Sequence, residues 1–395
     1  MILAALSIAA AQLVFDNARI ASAEDAGKLW GKPLYGPMII VDRNTRAFIR
    51  NDGAGGTLPT ETIIANTATP IDGKLTTMIA LQSLGETAVQ QRRLAMHECW
   101  HRIQNEIGFP ASNPNNAHLD TLDGRMSLQL ELRALAAALR ATSAEARSAA
   151  IGDAVAFRVA RRAKFKEAAE LERALENNEG LAEYTGVALR GTTAEETRLA
   201  FAREIENVDP KTSFVRGFAY LTGPAYGLLL DEVKPGWTRA YKVSDDLAAV
   251  LHVGQALLPV PPARGQARVP VLHGERYGAA ELRTSEEARD RERRERVARY
   301  RARLVDGPVL ELPMIDAHFG FDPNAVIPLG DAGNAYPTLD VTAPWGHISV
   351  DQGARIPNDW SKIVVAAEDR AKLELKPHCK LLPGKRDGDW RVSCE

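Results

Sequence analysis

The spacing of apolar positions along the chain changes character twice. Between residues 15 and 85 apolar residues come in short runs broken by polar turns, a pattern of strands. Runs at residues 37–42 and 46–50 flank a polar turn, residues 51–56 are a Gly-rich loop, and 60–65 and 75–80 read as two further strands. From about Gly85 the period lengthens. Residues 86–107 form an amphipathic helical pattern with Leu94, Met96 and Trp100 among its apolar positions, closed by Gly108 and Pro110. A polar loop at 112–120 leads to a Leu- and Ala-rich helix at 128–139. Thr142 with Glu145, and Thr192 with Glu195, have capping-box spacing. Helical periodicity runs to Glu176, breaks at Asn177 and Asn178, and resumes from Gly180 to Leu189 and from Phe201 to Ile205. Residues 213–230 are apolar and read as helix, interrupted by Gly217, Gly223-Pro224 and Gly227.

Pro259-Val260-Pro261-Pro262 opens a linker. Residues 286–303 come next, dense in Arg and Glu of both signs, which is the pattern of a solvated helix face. Beyond residue 305 the pattern returns to short strands, at 309–312, 339–342, 347–350 and 362–366. The chain therefore reads as α+β. A mainly helical domain with N-terminal strands spans 15–255, a linker and charged helix span 256–304, and a small β-rich domain spans 305–395. Residues 1–14 are apolar, with no charged side chain before Asp16, and are too short to cross a bilayer. They read as an incomplete signal segment, lacking a basic start, or as a buried helix.

Composition narrows the function. Of 395 residues, 45% are hydrophobic and 25% charged, the balance of a folded chain. The net charge of -2 and the acidic residues interleaved among the Arg-rich stretch leave no footprint for nucleic acid. No stretch is apolar enough for stable membrane insertion. Cys379 and Cys394 flank a turn-rich stretch at 382–389, so two strands joined there would bring their sulfurs together. A disulfide is expected, the alternative being two unpaired thiols on neighbouring strands, and with the N-terminal segment it points to a periplasmic or secreted protein, a cytoplasmic one being the alternative.

The chemistry concentrates in His97-Glu98-Cys99-Trp100-His101. Residues four apart share a helix face, so His97 and His101 can aim both imidazoles at one ion. Glu98, one residue round, can reach a water on that ion and act as general base. Zn2+ takes such nitrogen and oxygen ligands, and a catalytic site needs a third protein ligand and an open position. The residues after His101 lack the Gly and third His of the metzincin continuation. Two sources of a third ligand remain: Glu179, or His118 and Asp120 in the loop after the helix.

Asn178-Glu179-Gly180-Leu181-Ala182 resembles the Asn-Glu-Gly-x-Ala motif of the aminopeptidase branch of the gluzincins, zinc peptidases that pair a His-Glu-x-x-His helix with a Glu on a later helix. The order of these motifs, with His118-Leu119-Asp120-Thr121 between them, is similar to a bacterial group of that type. The resemblance implies a zincin-like catalytic domain, zinc held by His97, His101 and Glu179, and Glu98 as base. It also puts Glu183, one turn on, where it would support a zinc-bound imidazole or bind a substrate amine. It covers two short segments, and the substrate motif of the aminopeptidase branch is absent, so that specificity is not carried over.

Hydrolysis through a tetrahedral intermediate also needs an oxyanion donor. Tyr220, Tyr226 and Arg216 are the candidates, and Tyr184 is expected to pack beneath the site. Asp120 and Asp123, with Arg125, either orient an imidazole or cap the next helix. Cys99 reads as a small buried side chain. The expectation is a zinc metallopeptidase, a hydrolase acting on a peptide or protein. The alternative is a zinc-binding non-catalytic protein or a non-peptidase metallohydrolase of the same fold.

Overall fold

The computed structural model describes residues 2–59, 62–255, 273–321 and 325–394. It is mixed helix and sheet, as the periodicity requires, and divides into two compact units, Met1–Arg283 and Thr284–Glu395. Residues 256–272 of the expected linker lie outside the described residues.

The first unit opens with α1 (Ile2–Asp25). Its residues Ala11, Val14, Phe15, Ala18 and Ala21 recur every three or four positions and are all buried. The boundary drawn after residue 14 therefore marks no break, because Val14 and Phe15 are neighbouring core residues of one helix. A five-stranded sheet comes next, built from β1 (Met38–Val41), β2 (Ala47–Arg50), β3 (Gly55–Thr57), β4 (Thr67–Ile71) and β5 (Lys74–Ala80). Its order is β3-β2-β1-β5-β4, with β1 and β5 parallel and the other pairs antiparallel. Side chains alternate across β1. Met38 and Ile40 enter the main core, while Ile39 and Val41 join Leu58 and Met78 in a smaller cluster on the other face.

The sequence pattern missed β4, whose Pro70 lacks a donor for a ladder. β4 is the sheet edge, where that missing N–H costs little. Residues 62–65, expected in a strand with 60–61, are irregular, and residues 60 and 61 lie outside the described residues.

The helices of this unit are α2 (Ala88–Ile103), α3 (Leu122–Arg140), α4 (Ala144–Lys164), α5 (Ala168–Leu175), α6 (Leu181–Ala188), α7 (Ala194–Glu206), α8 (Phe214–Gly217), α9 (Ala219–Val233) and α10 (Leu247–Gln255). Both expected capping boxes are displaced by one residue. Ser143 accepts from the Ala146 amide, and Thr193 forms the reciprocal pair with Glu196. In each case the capping residue is the one whose extended backbone turns its hydroxyl back onto the third amide. The expected break at Asn177 and Asn178 is instead a π-helical turn, Glu176–Gly180, joining α5 to α6 without interruption. The charged stretch is helical as expected, within α11 (Ala279–Arg301).

The second unit is built on β6 (Val309–Pro313), β7 (His318–Gly320), β8 (Ile327–Pro328), β9 (Asn334–Tyr336), β10 (Leu339–Ala343), β11 (Gly346–Val350), β12 (Ala354–Ile356), β13 (Lys362–Ala366), β14 (Glu374–Leu375), β15 (Cys379–Pro383) and β16 (Trp390–Cys394). They form a four-stranded sheet, β14-β11-β10-β7, and a seven-stranded sheet, β15-β16-β6-β13-β12-β9-β8. Alternate residues Leu339, Val341 and Ala343 of β10 point into a core shared with Leu310, Leu312, Ile348, Ile363 and Val365. Cys379 and Cys394 are disulfide-bonded. Among the described residues no helix is long and apolar enough to cross a membrane.

Candidate metal centre

Helix α2 carries the first half of the site. Thr87 caps it, its hydroxyl accepting from the Gln90 amide while the Gln90 side chain accepts from the Thr87 amide. Its buried stripe of Ala95, Met96, Cys99, Trp100 and Ile103 fixes the helix against the core. That leaves His97, Glu98 and His101 on the wall of a cleft of about 560 Å³. Cys99 is on the core side. Burial pushes its thiol up to about 12, so it stays protonated, and its partner is the Thr77 hydroxyl.

The second half comes from the π-helical turn and α6. Two glycines let these segments close on their neighbours. A Cβ on Gly186 would lie 2.4 Å from the Arg93 carbonyl oxygen of α2, and one on Gly223 would lie 2.4 Å from Gly180 Cα. The first contact brings Glu183 to His97. The second brings α9, with Tyr220, to Glu179. A π turn adds one residue to the helix and rotates the residues beyond it, a device that recurs at functional sites. Here it places Glu179 and Glu183 towards α2 together.

The four groups converge. His97 Nε2 and His101 Nε2 are 3.2 Å apart, and Glu179 Oε2 lies 3.7 Å from each. Glu98 Oε1 is 3.9 Å from His97 Nε2. Donors about 2.0–2.1 Å from a tetrahedral ion would stand roughly 3.3–3.4 Å apart. The spacing of these three candidate ligand atoms is thus within about half an ångström of that tetrahedral spacing. Glu98 Oε2 is buried with no hydrogen-bond partner among the described residues, as a base waiting for a water proton would be.

Hydrogen bonds around the cluster fix which ring nitrogen faces inward. Glu183 Oε2 is 2.6 Å from His97 Nδ1. Burial raises the Glu183 pKa, but the bond to His97 and the attraction of His97 and Arg93 outweigh it and hold the carboxylate ionised. An ionised carboxylate only accepts, so His97 Nδ1 carries the proton, and in the neutral ring the Nε2 lone pair faces the cluster. A longer relay does the same for His101. Glu179 Oε1 accepts from Asn178 Nδ2 at 3.1 Å, Asn178 Oδ1 accepts from Gln104 Nε2 at 3.0 Å, and Gln104 Oε1 lies 2.5 Å from His101 Nδ1. The acceptor-only Glu179 sets each amide in turn, so His101 Nδ1 donates and its Nε2 is directed inward.

The electrostatics favour positive charge. Glu98, Glu179 and Glu183 surround two imidazoles in a buried setting. Burial disfavours charge on His97, but Glu179 at 3.7 Å, the hydrogen bond to Glu183 and the attraction of Glu98 hold its pKa up at about 10. Burial also raises Glu179, yet the nearby His101 and His97 rings, each 3.7 Å away, and the hydrogen bond from Tyr220 drive it well below the carboxylate range. Glu98 is pushed up by burial, with Glu179 and Glu183 adding to the rise and the two histidines opposing it. Positive charge is therefore strongly favoured between these residues, and a divalent ion would supply it while leaving both rings neutral.

Tyr220 and Arg216 reach the same cleft. The Tyr220 hydroxyl donates to Glu179 Oε2 at 2.5 Å, and its ring stacks on His97 at 5.7 Å. Arg216, half exposed, donates to Glu179 Oε1 at 3.2 Å and is the only Lys or Arg among the described residues lining the cleft.

Tyr226 does not join them. It is fully buried, and its hydroxyl donates to Glu131 Oε1 at 2.8 Å in a separate ionic network. In that network Arg158, Arg161 and Arg162 hold Glu131, Glu172 and Glu176. The alternative third ligands are also elsewhere. His118 Nε2 is 2.9 Å from Glu172, and Asp120 pairs with Arg125 at 3.5 Å. The cap of α3 is Thr121, one residue beyond Asp120. Tyr184 packs beneath, bonded to Asp231.

Sequence reasoning missed Arg93, Gln104 and the relay role of Asn178. The signal was available as spacing, since Arg93 stands four residues before His97 and Gln104 three after His101, both on the ligand face. Comparison with family models, curated proteins and solved structures returned no match.

Proposed function

We propose that this chain is a zinc-dependent metallohydrolase that cleaves peptide bonds, with His97, His101 and Glu179 as ligands and Glu98 as general base. The observation that carries the reading is the convergence of those three ligand atoms beside the unpartnered, buried Glu98 oxygen. When bound, zinc would lower the pKa of a water to near 7 and polarise the substrate carbonyl.

The chain's own residues do the rest. Glu98, raised by burial, takes the proton of the attacking water and returns it to the leaving amine. Glu183 and Gln104 orient the two imidazoles. Arg216, and Tyr220 once its hydroxyl turns from Glu179, are the donors at the cleft for the developing oxyanion. A peptide is favoured as substrate because β4 forms one wall of the cleft. Thr67 and Ala68 line it, and among the described residues β4 pairs on one side only, with β5. An extended substrate can add to that edge by main-chain hydrogen bonds.

The test is zinc content and turnover of wild type beside Glu98→Gln. Both proteins should hold about one zinc, and only the wild type should cleave a peptide library. Turnover retained by Glu98→Gln would remove Glu98 from its role. Loss of zinc from wild type would remove the reading altogether. Cleavage of esters without peptides would assign the site to another hydrolase class.

A further inference from the structure

A second constellation of ligand-type side chains lies in the other unit. His378, Cys379 and Cys394 each offer one ligand atom, and these atoms lie within 4.8 Å of one another. Cys379 and Cys394 stand directly opposite each other in the antiparallel β15–β16 pair, so both sulfurs are on one face, and His378 immediately precedes β15. His378 and Cys394 are exposed and Cys379 is partly buried, on the edge strand of the seven-stranded sheet. A thiolate reductant therefore has access to the bond.

The hairpin does not depend on that bond to hold its shape. Four further register pairs, from Lys380↔Ser393 to Pro383↔Trp390, zip the strands. Val392 is buried in the second core with Leu381 packed against it, and the Gly384 amide donates to the Asp389 carbonyl at the turn. Reduction would leave both thiols where the fold holds them, next to an imidazole.

We infer that, once the Cys379–Cys394 disulfide is reduced, the two thiolates and the His378 imidazole form a three-ligand site for a thiophilic divalent ion such as zinc, separate from the His97–His101–Glu179 cluster. The chemistry balances with a dithiol as reductant. The protein S–S bond takes two electrons and two protons and becomes two thiols, while the dithiol closes to its own disulfide. The ion then displaces both thiol protons to solvent and takes the lone pair of the neutral ring.

Zn–S of about 2.3 Å and Zn–N of about 2.0–2.1 Å put the sulfurs roughly 3.8 Å apart and each about 3.5 Å from the nitrogen. The two sulfurs, bonded in this structure, would separate and the imidazole nitrogen, now within 4.8 Å of them, would close in, side-chain movements of roughly 1–2 Å. Soft sulfur ligands select zinc over magnesium or calcium. The same three residues would then carry a disulfide in an oxidising compartment and an ion in a reducing one.

The test is anaerobic Co2+ titration of the full chain, oxidised or reduced with a non-chelating phosphine that is removed beforehand. The reduced wild type should take up about one equivalent more than the oxidised protein and develop a near-ultraviolet thiolate-to-cobalt band. The His97–His101–Glu179 cluster has no sulfur to give that band. Cys394→Ser should lose both the band and the extra equivalent. His378→Ala should bind at least about tenfold more weakly. Equal uptake by reduced and oxidised protein, or a band that survives Cys394→Ser, would overturn the inference. Uptake by the oxidised protein reports on the His97–His101–Glu179 cluster, so failure of either site is seen independently of the other.

Discussion

Glu183 is the residue whose replacement tests the architecture of the proposed metal centre most directly. Its two oxygens do different work: Oε2 accepts from His97 Nδ1 at 2.6 Å, and Oε1 accepts from Arg93 Nε at 2.6 Å. In Glu183→Gln the amide oxygen can still accept from His97, so the ring keeps its tautomer, but the bond is no longer charge-assisted. A hydrogen bond to a charged group contributes about 1.5–3 kcal/mol, against about 0.5–1.5 for a neutral one. The imidazole also loses the basicity that an ionised partner lends it. Together these predict zinc binding weaker by about 10–100-fold, or about 1.4–2.7 kcal/mol.

The fold should survive, because Arg93 keeps its second carboxylate, Glu204, at 2.7 Å. That geometry supplies a control. Glu204→Gln removes the charge from the other half of the same Arg93 pair without touching His97, and should leave zinc affinity unchanged. Affinities are measured by competition with a chromophoric chelator. The reasoning is refuted if Glu183→Gln binds within about threefold of wild type, or if Glu204→Gln falls as far as Glu183→Gln.

Hydroxyl and carboxyl partners give two further predictions. Tyr220→Phe should lower kcat on the order of 10- to 100-fold with zinc retained, whereas Tyr226→Phe should spare turnover and zinc and lower stability by about 1–3 kcal/mol, because Glu131 loses a donor; steady-state kinetics and urea unfolding separate the two, and the reverse result would return Tyr226 to the site. Asp231, which accepts from Tyr184 and Trp237 through one oxygen, is raised by burial to about 6 from an ordinary 3.8 despite those two bonds. Between about pH 4 and 6 the folded chain keeps a proton that the unfolded chain releases, so this group lowers stability as pH rises through that window, by an upper bound of about 3 kcal/mol. Asp231→Asn preserves the accepting oxygen and should be more stable than wild type at pH 8 but not at pH 4; urea unfolding that shows no pH-dependent difference would count against it.

How much of the site is legible in the sequence depends on how local the determinant is. His97, Glu98 and His101 are readable because a helix makes spacing into geometry. Glu179 is readable only through resemblance, because its approach to the histidines rests on contacts distant in sequence, Gly186 against Arg93 and Gly223 against Gly180. The π turn reads as a break because two successive asparagines are poor helix formers. In the fold each is held from outside, Asn177 by the Val243 carbonyl and the Tyr241 hydroxyl, and Asn178 by Gln104 and Glu179.

Tyr226 misleads for the same reason. It lies six residues from Tyr220 on α9, so the two side chains point well apart around the helix. Tyr220 meets Glu179, while Tyr226 meets the buried carboxylate of Glu131, which no local pattern announces. Buried ion pairs of this type add little net stability, but a missing partner leaves a charge stranded. The Arg158–Glu176 contact therefore carries weight at the proposed metal centre, since Glu176 opens the turn that presents Glu179. Long-range contacts, the close approaches at Gly186 and Gly223 and the buried charge pairs, thus place Glu179, the proposed third ligand.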